Sequence, residues 1–284
     1  MQTHATYHVP DAHPNLMTAY PGFERDLKFV PADPAKARTL SRRHVEQFNA
    51  DGFLKPFTAM SEANMEEHRA LFDGLLAGEL ASGRGSYSMD GLHNRVAELY
   101  DIVLLPSILN VVEDLLGPNL VCWGTHYFCK MAGDRKQVSW HQDASFWPLT
   151  PSRNVTVWLA IDQASVENGC MRVIPGSHLH GQIAFRRSQE QEQSVLNQTV
   201  ENPFNYGGDP VDVELRPGQF SVHSDLLLHG SNPNMSTRRR CGLTIRYIPA
   251  SVRAPSDWRA GQSIICRGTD PATRWSHAPR PKAV

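Results

Sequence analysis

Asn154-Val-Thr-Val-Trp-Leu-Ala-Ile-Asp162 is the stretch that decides the architecture. It alternates strictly: Val155, Val157, Leu159 and Ile161 face one way, Thr156, Trp158 and Ala160 the other. That is the two-residue period of a strand, written in β-branched and aromatic residues. Shorter strand-like runs lie around it, at residues 120–130, 170–174, 211–215, 219–223, 226–229 and 240–248, separated by Gly/Pro turns. Upstream the texture changes. Thr39 to Gly52 reads as a helix with a glycine stop, and residues 61–81 as a second one. Ser61 caps the second, and Met65, His68, Leu71, Phe72 and Leu75 recur at helical spacing. Residues 96–116 are mostly helical, interrupted near Pro106 and stopped by Gly117-Pro118. Residues 1–37 read as a surface arm, and the Gly/Ser-rich residues 83–94 as a mobile loop. Helices followed by many short strands predict an α+β chain with a mainly β core, a sandwich or barrel.

Bulk properties exclude several functions. The 284 residues make one large domain or two small ones. Charge is balanced, 28 basic against 29 acidic residues, and no long basic run argues for nucleic acid or an acidic membrane. The first residues lack a basic and an apolar segment, so no secretory signal is expected. The most apolar stretch, 102–116, is too short and too polar to span a bilayer. Cys122, Cys129, Cys170 and Cys241 fall in strand-like segments and read as reduced core thiols. These features predict a cytoplasmic protein; its oligomeric state is not legible.

Chemistry concentrates in Ser139-Trp-His-Gln-Asp-Ala-Ser-Phe-Trp-Pro-Leu-Thr-Pro151. On an extended strand His141 and Asp143 would project from one face. An imidazole beside a carboxylate can grip a divalent metal, and His229, in Leu-Leu-Leu-His-Gly-Ser, is the best third ligand. Two His and one carboxylate leave the opposite metal face open, as in non-haem Fe(II) oxygenases. A His-x-Asp triplet alone is weak evidence, and a second one occurs at His223-Ser224-Asp225. That copy reads as structural.

The surrounding motifs carry a resemblance. Trp-His-Gln-Asp at 140–143, Val-Trp-Leu-Ala-Ile-Asp at 157–162, Glu-Asn-Gly-Cys-Met at 167–171 and Pro-Gly-Ser-His at 175–178 come first. Pro-Gly-Gln-Phe at 217–220, His-Gly-Ser-Asn-Pro-Asn at 229–234 and Arg-Cys-Gly-Leu-Thr-Ile-Arg-Tyr at 240–247 follow. Over roughly its last two thirds the chain resembles the phytanoyl-CoA dioxygenase family of Fe(II)/2-oxoglutarate-dependent oxygenases. The resemblance implies a double-stranded β-helix, a cupin-like jelly roll, with N-terminal helices packed outside. One oxygenase domain over 1–284 would divide into arm and helices (1–118), core (119–250) and tail (251–284). It also implies catalytic metal ligands His141, Asp143 and His229, with Fe(II), 2-oxoglutarate and O2 as reactants. Arg240, eleven residues past His229, would hold the far carboxylate of 2-oxoglutarate, with Arg238 as the alternative. Trp158 and Ser231 match family positions near that cosubstrate; core packing and a turn cap remain open for them.

The reaction implied is oxidation of a substrate coupled to release of succinate and CO2. The retained Asp143 favours hydroxylation, because halogenating relatives replace this carboxylate by a small residue; desaturation and ring closure stay open as alternatives. For the substrate, Arg246, Lys130, His126, Phe146 and Trp147 form the candidate lining. Cations with aromatics suit a small anionic or zwitterionic molecule, 2-aminoethylphosphonate being one concrete possibility. An acyl-CoA hydroxylase is the rival, with Arg186 and Arg187 on the polar insert 186–208 as its only paired cations; such an insert suits a lid. A non-catalytic cupin-like binding module is the other reading, and the intact metal and Arg positions argue against it.

Overall fold

The structure is a computed structural model and describes residues 22–256, 258–259 and 261–282. The start of the expected arm, residues 1–21, lies outside the described residues. The chain builds α1 (Arg42–Asp51), β1 (Phe53–Thr58), α2 (Glu62–Ala81), α3 (Ala97–Val103), α4 (Pro106–Leu116), β2 (Leu120–Lys130), β3 (Val138–His141) and β4 (Val155–Ala160). Then come β5 (Met171–Val173), β6 (Arg186–Arg187), β7 (Gln198–Thr199), β8 (Val211–Val213), β9 (Gln219–Ser224), β10 (His229–Ser231), β11 (Arg240–Pro249) and β12 (Ile264–Arg267). The helix ends follow local chemistry. Ser41 and Ser61 accept the backbone N–H of His44 and Asn64, and Gly52 closes α1 at φ 83°.

Two antiparallel sheets face each other. The larger has the order β1-β9-β4-β11-β2-β12 and the smaller β3-β10-β5-β8. This is the jelly-roll arrangement, with strands that neighbour in space but not in sequence. The alternation in β4 sorts its residues between two environments. Val155, Val157, Leu159 and Ile161 join the core under α2–α4, with Phe72, Val103 and Ile108. Trp158 and Ala160 pack instead toward Met171, Val173 and Val213 of the smaller sheet. β11 sorts the same way: Cys241, Leu243, Ile245 and Tyr247 face the helices, while Arg240, Thr244 and Arg246 line the interior.

Several local expectations are corrected. Phe53–Thr58 is an edge strand paired to β9, hidden in the sequence by Pro56, which a central strand would not tolerate. The tail adds β12 to the free side of β2. Residues 83–94, read as a mobile loop, pack against β2: Met89 and His93 are buried and Asp90 bridges to His126. The strand expected over 226–229 begins only at His229. Five cysteines are free, four of them buried. Among the described residues no helix is long and apolar enough to cross a membrane.

Candidate metal centre

His141 ends β3, His229 opens β10, and the two are direct register partners across the smaller sheet. Their rings lie 4.1 Å apart. Asp143 is not on the extended strand expected for it; it begins a one-turn 3₁₀ segment, Asp143–Ser145. The turn folds the carboxylate back so that Oδ1 sits 3.6 Å from His141 Nε2 and 3.7 Å from His229 Nε2. Each Nδ1 is committed to a carbonyl, His141 to Ser139 at 2.8 Å and His229 to Leu227 at 2.9 Å. A carbonyl only accepts, so each Nδ1 carries the proton and each Nε2 offers a lone pair. Two imidazole lone pairs and a carboxylate oxygen thus converge in a buried space, their ligand atoms all within 4.8 Å of one another. That donor set fits a divalent cation, and Fe(II) suits two imidazoles, one carboxylate and an open face.

The neighbours hold this geometry. Gln142, between the two ligands, is 1% exposed. Its amide donates to the Gly181 and Leu226 carbonyls and its oxygen accepts from Gln182 and Ile183. The Ala144 N–H donates to the Asp225 carbonyl, tying the Asp143 turn to the approach to β10. Thr156 Oγ1 donates to Asp143 Oδ2 at 3.0 Å. Burial alone would raise the Asp143 pKa, but the surrounding histidines outweigh it and hold the carboxyl well below its usual range. Burial likewise pushes His229 well below the usual imidazole value, which keeps its lone pair available. Asp225, buried nearby, is pushed up to about 7.

At one end of the interior stands Arg240, 3% exposed. Its Nη2 donates to the Gly169 carbonyl at 2.8 Å and approaches Ser231 Oγ at 3.4 Å, and its guanidinium lies 5.5 Å from the Trp158 ring. Its Nε has no partner, and no acidic side chain among the described residues forms an ion pair with it. Burial draws its pKa down. A buried cation lacking a carboxylate calls for an anion, which fits the far carboxylate of 2-oxoglutarate. Its sequence neighbours are already satisfied: Arg238 pairs with Glu167, and Arg239 with Asp162 and Asp73. Gly242 is required beside them, because a Cβ there would lie 2.1 Å from the Trp158 ring.

Toward the other end a cavity of about 380 Å³ opens from His141 and Asp143. His126, Phe146, Trp147 and Arg246 line it, as does the insert through Val195, Leu196 and Asn197. The insert is docked along β3, Ser139 Oγ donating to the Gln198 carbonyl at 2.6 Å. Arg246 lies 5.0 Å from the Trp147 ring and 5.3 Å from that of Trp123. Lys130 does not line this cavity. Its Nζ donates to the carbonyls of Lys136, Ser231 and Asn232, and burial pulls its pKa down to about 7. Its inward parity was legible; its capture by carbonyls of the next sheet was not.

Three residues of the site were missed or misread. Asp90 accepts from Arg259 at 2.8 Å and stands 3.7 Å from Arg246 and 4.0 Å from His126. Burial would raise its pKa, but the charges of Arg259, His126 and Arg246 win and lower it. Asp90 and Arg259 come from segments read as loop and tail, where no pattern pointed inward. His223, set aside as structural, is 1% exposed and lines the interior with the triad. Its signal was present: in 219–224 the apolar Phe220 and Val222 mark the helix-facing side, which turns Ser221 and His223 inward.

Comparisons with known proteins agree with this geometry. The family model described as Phytanoyl-CoA dioxygenase (PhyH) matches residues 48–242. A "Probable alpha-ketoglutarate-dependent hypophosphite dioxygenase" of Stutzerimonas stutzeri is 35% identical over 154 residues, 53% of each chain. The peroxisomal phytanoyl-CoA dioxygenase of Rattus norvegicus is 30% identical over 176 residues, 60% of this chain and 52% of the relative. The chain thus spans about half the length of the curated relatives it matches. Among solved structures, the non-heme monooxygenase ThoJ in its apo form aligns with a TM-score of 0.70 at 32% identity, over 84% of this chain and 88% of that one. With the family model covering most of the chain and a solved relative sharing both fold and sequence, the chain belongs to the phytanoyl-CoA dioxygenase family.

Proposed function

We propose that the protein is an Fe(II)/2-oxoglutarate-dependent dioxygenase that hydroxylates a small anionic or zwitterionic metabolite, releasing succinate and CO2. His141, Asp143 and His229 would hold the iron and Arg240 would bind the distal carboxylate of 2-oxoglutarate, with Trp158 and Ser231 packed beside it. Bound iron and 2-oxoglutarate together supply the activation of O2. The chain supplies position: the cosubstrate end and the substrate end of the interior meet at His141 and Asp143.

The observation that carries the substrate class is Arg246. It is a buried guanidinium on the cavity wall, and its nearest carboxylate, Asp90 at 3.7 Å, is already bound 2.8 Å from Arg259. A cation in a water-poor aromatic setting with only a long share of a carboxylate favours an incoming anion. The relative named for hypophosphite makes phosphorus oxyanions and organophosphonates such as 2-aminoethylphosphonate the first candidates. The acyl-CoA reading is weakened at the insert, where Arg186 is neutralised by Glu192 and Glu201. The test is a screen for stimulated 2-oxoglutarate decarboxylation with Fe(II), using phosphonates, phosphite, small carboxylates and acyl-CoA esters. Stimulation by small anions is expected; stimulation by acyl-CoA alone would move the assignment to the rival.

A further inference from the structure

His223 is a buried imidazole with two unmade hydrogen bonds. Among the described residues neither ring nitrogen has a hydrogen-bond partner, and the side chain is 1% exposed. Leaving such groups dry is costly, so the position makes sense only if a partner comes within reach. Its strand neighbours offer none: it registers against Phe53 on β1 and Thr156 on β4. The Thr156 hydroxyl already donates to Asp143. An acceptor stands just out of reach: Asp143 Oδ2, 3.7 Å from His223 Nε2. Closing that gap to hydrogen-bond length takes a shift of less than about 1 Å.

The two oxygens of Asp143 have different surroundings. Oδ1 faces the Nε2 atoms of His141 and His229. Oδ2 is turned away, toward the Thr156 hydroxyl and His223. A carboxylate oxygen accepts two hydrogen bonds comfortably, and Thr156 supplies one. We infer that His223 is a positioning residue: its Nε2–H donates to Asp143 Oδ2 in the metal-loaded protein and, with Thr156, restricts the carboxylate to the metal through Oδ1 alone. A carboxylate bound through both oxygens would fill one of the open positions that cosubstrate and O2 need. Thr156 is itself fixed from behind by Asn154 Nδ2 at 3.3 Å, and Asn154 by Trp123 Nε1 at 2.7 Å. The clamp therefore has one rigid jaw and one that closes on loading. This inference rests on the metal-site reading above.

The test uses Co(II) binding by the full chain, without turnover. Glutamine carries its amide nitrogen near the position of Nε2, asparagine near that of Nδ1, and phenylalanine keeps the ring without a donor. His223→Phe and His223→Asn should weaken Co(II) binding about 10–100-fold, the usual cost of losing a partner to a metal ligand, while His223→Gln retains most of it. A crystal structure of the Co(II) form should show one Asp143 oxygen on the metal, Nε2 bonded to the other, and both oxygens on the metal in His223→Phe. Should His223→Phe fold poorly, Thr156→Val removes the other donor and should weaken Co(II) in the same range. Wild-type affinity in a folded His223→Phe would overturn the assignment. So would loss of metal in His223→Gln as complete as in His141→Ala, which would make His223 a ligand. Absence of Co(II) binding by the wild type would sink the metal-site reading as well, which separates the two failures.

Discussion

Arg240 and Arg246 stand on one strand and one face, yet they meet different environments. Arg240 is enclosed with neutral partners, a carbonyl, a hydroxyl and an indole face, and among the described residues has no carboxylate. Arg246 lies against a pair of mutually packed indoles, Trp123 and Trp147, and shares Asp90 with Arg259. On the function proposed above, the first would be a cation kept for an anion that never changes. The second already has a distant counter-charge, so an incoming anion must bind better than Asp90 does. On that proposal, the difference would separate affinity for a fixed cosubstrate from selectivity among substrates.

The comparison is broken most thoroughly where the two ends meet. His141→Ala, Asp143→Ala and His229→Ala should each abolish metal retention and CO2 release with little change in melting temperature, because the sheets form without the ligands. Metal analysis and thermal melts check this, and a metal-retaining His229→Ala would remove the shared centre. Next in size is Arg240→Ala. Truncating one partner of a buried charged pair costs about 2–5 kcal/mol, so the apparent affinity for 2-oxoglutarate should fall at least tenfold. Arg239→Ala should spare that affinity, its charge being used by Asp162 and Asp73. An unchanged 2-oxoglutarate titration in Arg240→Ala would shift the role to Arg238. The smallest effect is expected from Arg246→Leu: substrate-stimulated turnover falls roughly tenfold, equivalent to about 1.4 kcal/mol, while uncoupled decarboxylation persists. Equal loss of both activities would mean that Arg246 serves the centre rather than the substrate.

How much of this was legible follows from the reach of each interaction. The strict alternation of 154–162 exposed the double-faced sheet, because both faces of β4 are buried and each follows one rule. The residues that the structure gathers as a possible metal site were legible as a triplet plus a distant histidine, although the turn at Asp143, and not a strand, brings the carboxylate round. Gln142 was legible only as a motif letter; its four hydrogen bonds join segments up to 84 residues apart. Asp90 and Arg259 meet across 169 residues, and neither lies in a periodic segment that would have shown its direction. Lys130 illustrates the converse, since parity gave its direction but not the carbonyls that stop it short of the cavity.

That last side chain has a mechanical consequence. Lys130 belongs to the larger sheet, while two of the carbonyls it reaches, those of Ser231 and Asn232, lie at the end of β10 in the smaller one. It ties the two walls together beside its strand partner Arg240 and just beyond His229. Four methylenes and an amine thus help to hold the gap between the sheets at the end proposed for the cosubstrate, and a shorter residue there would loosen the spacing between Arg240 and the proposed metal ligands without touching either.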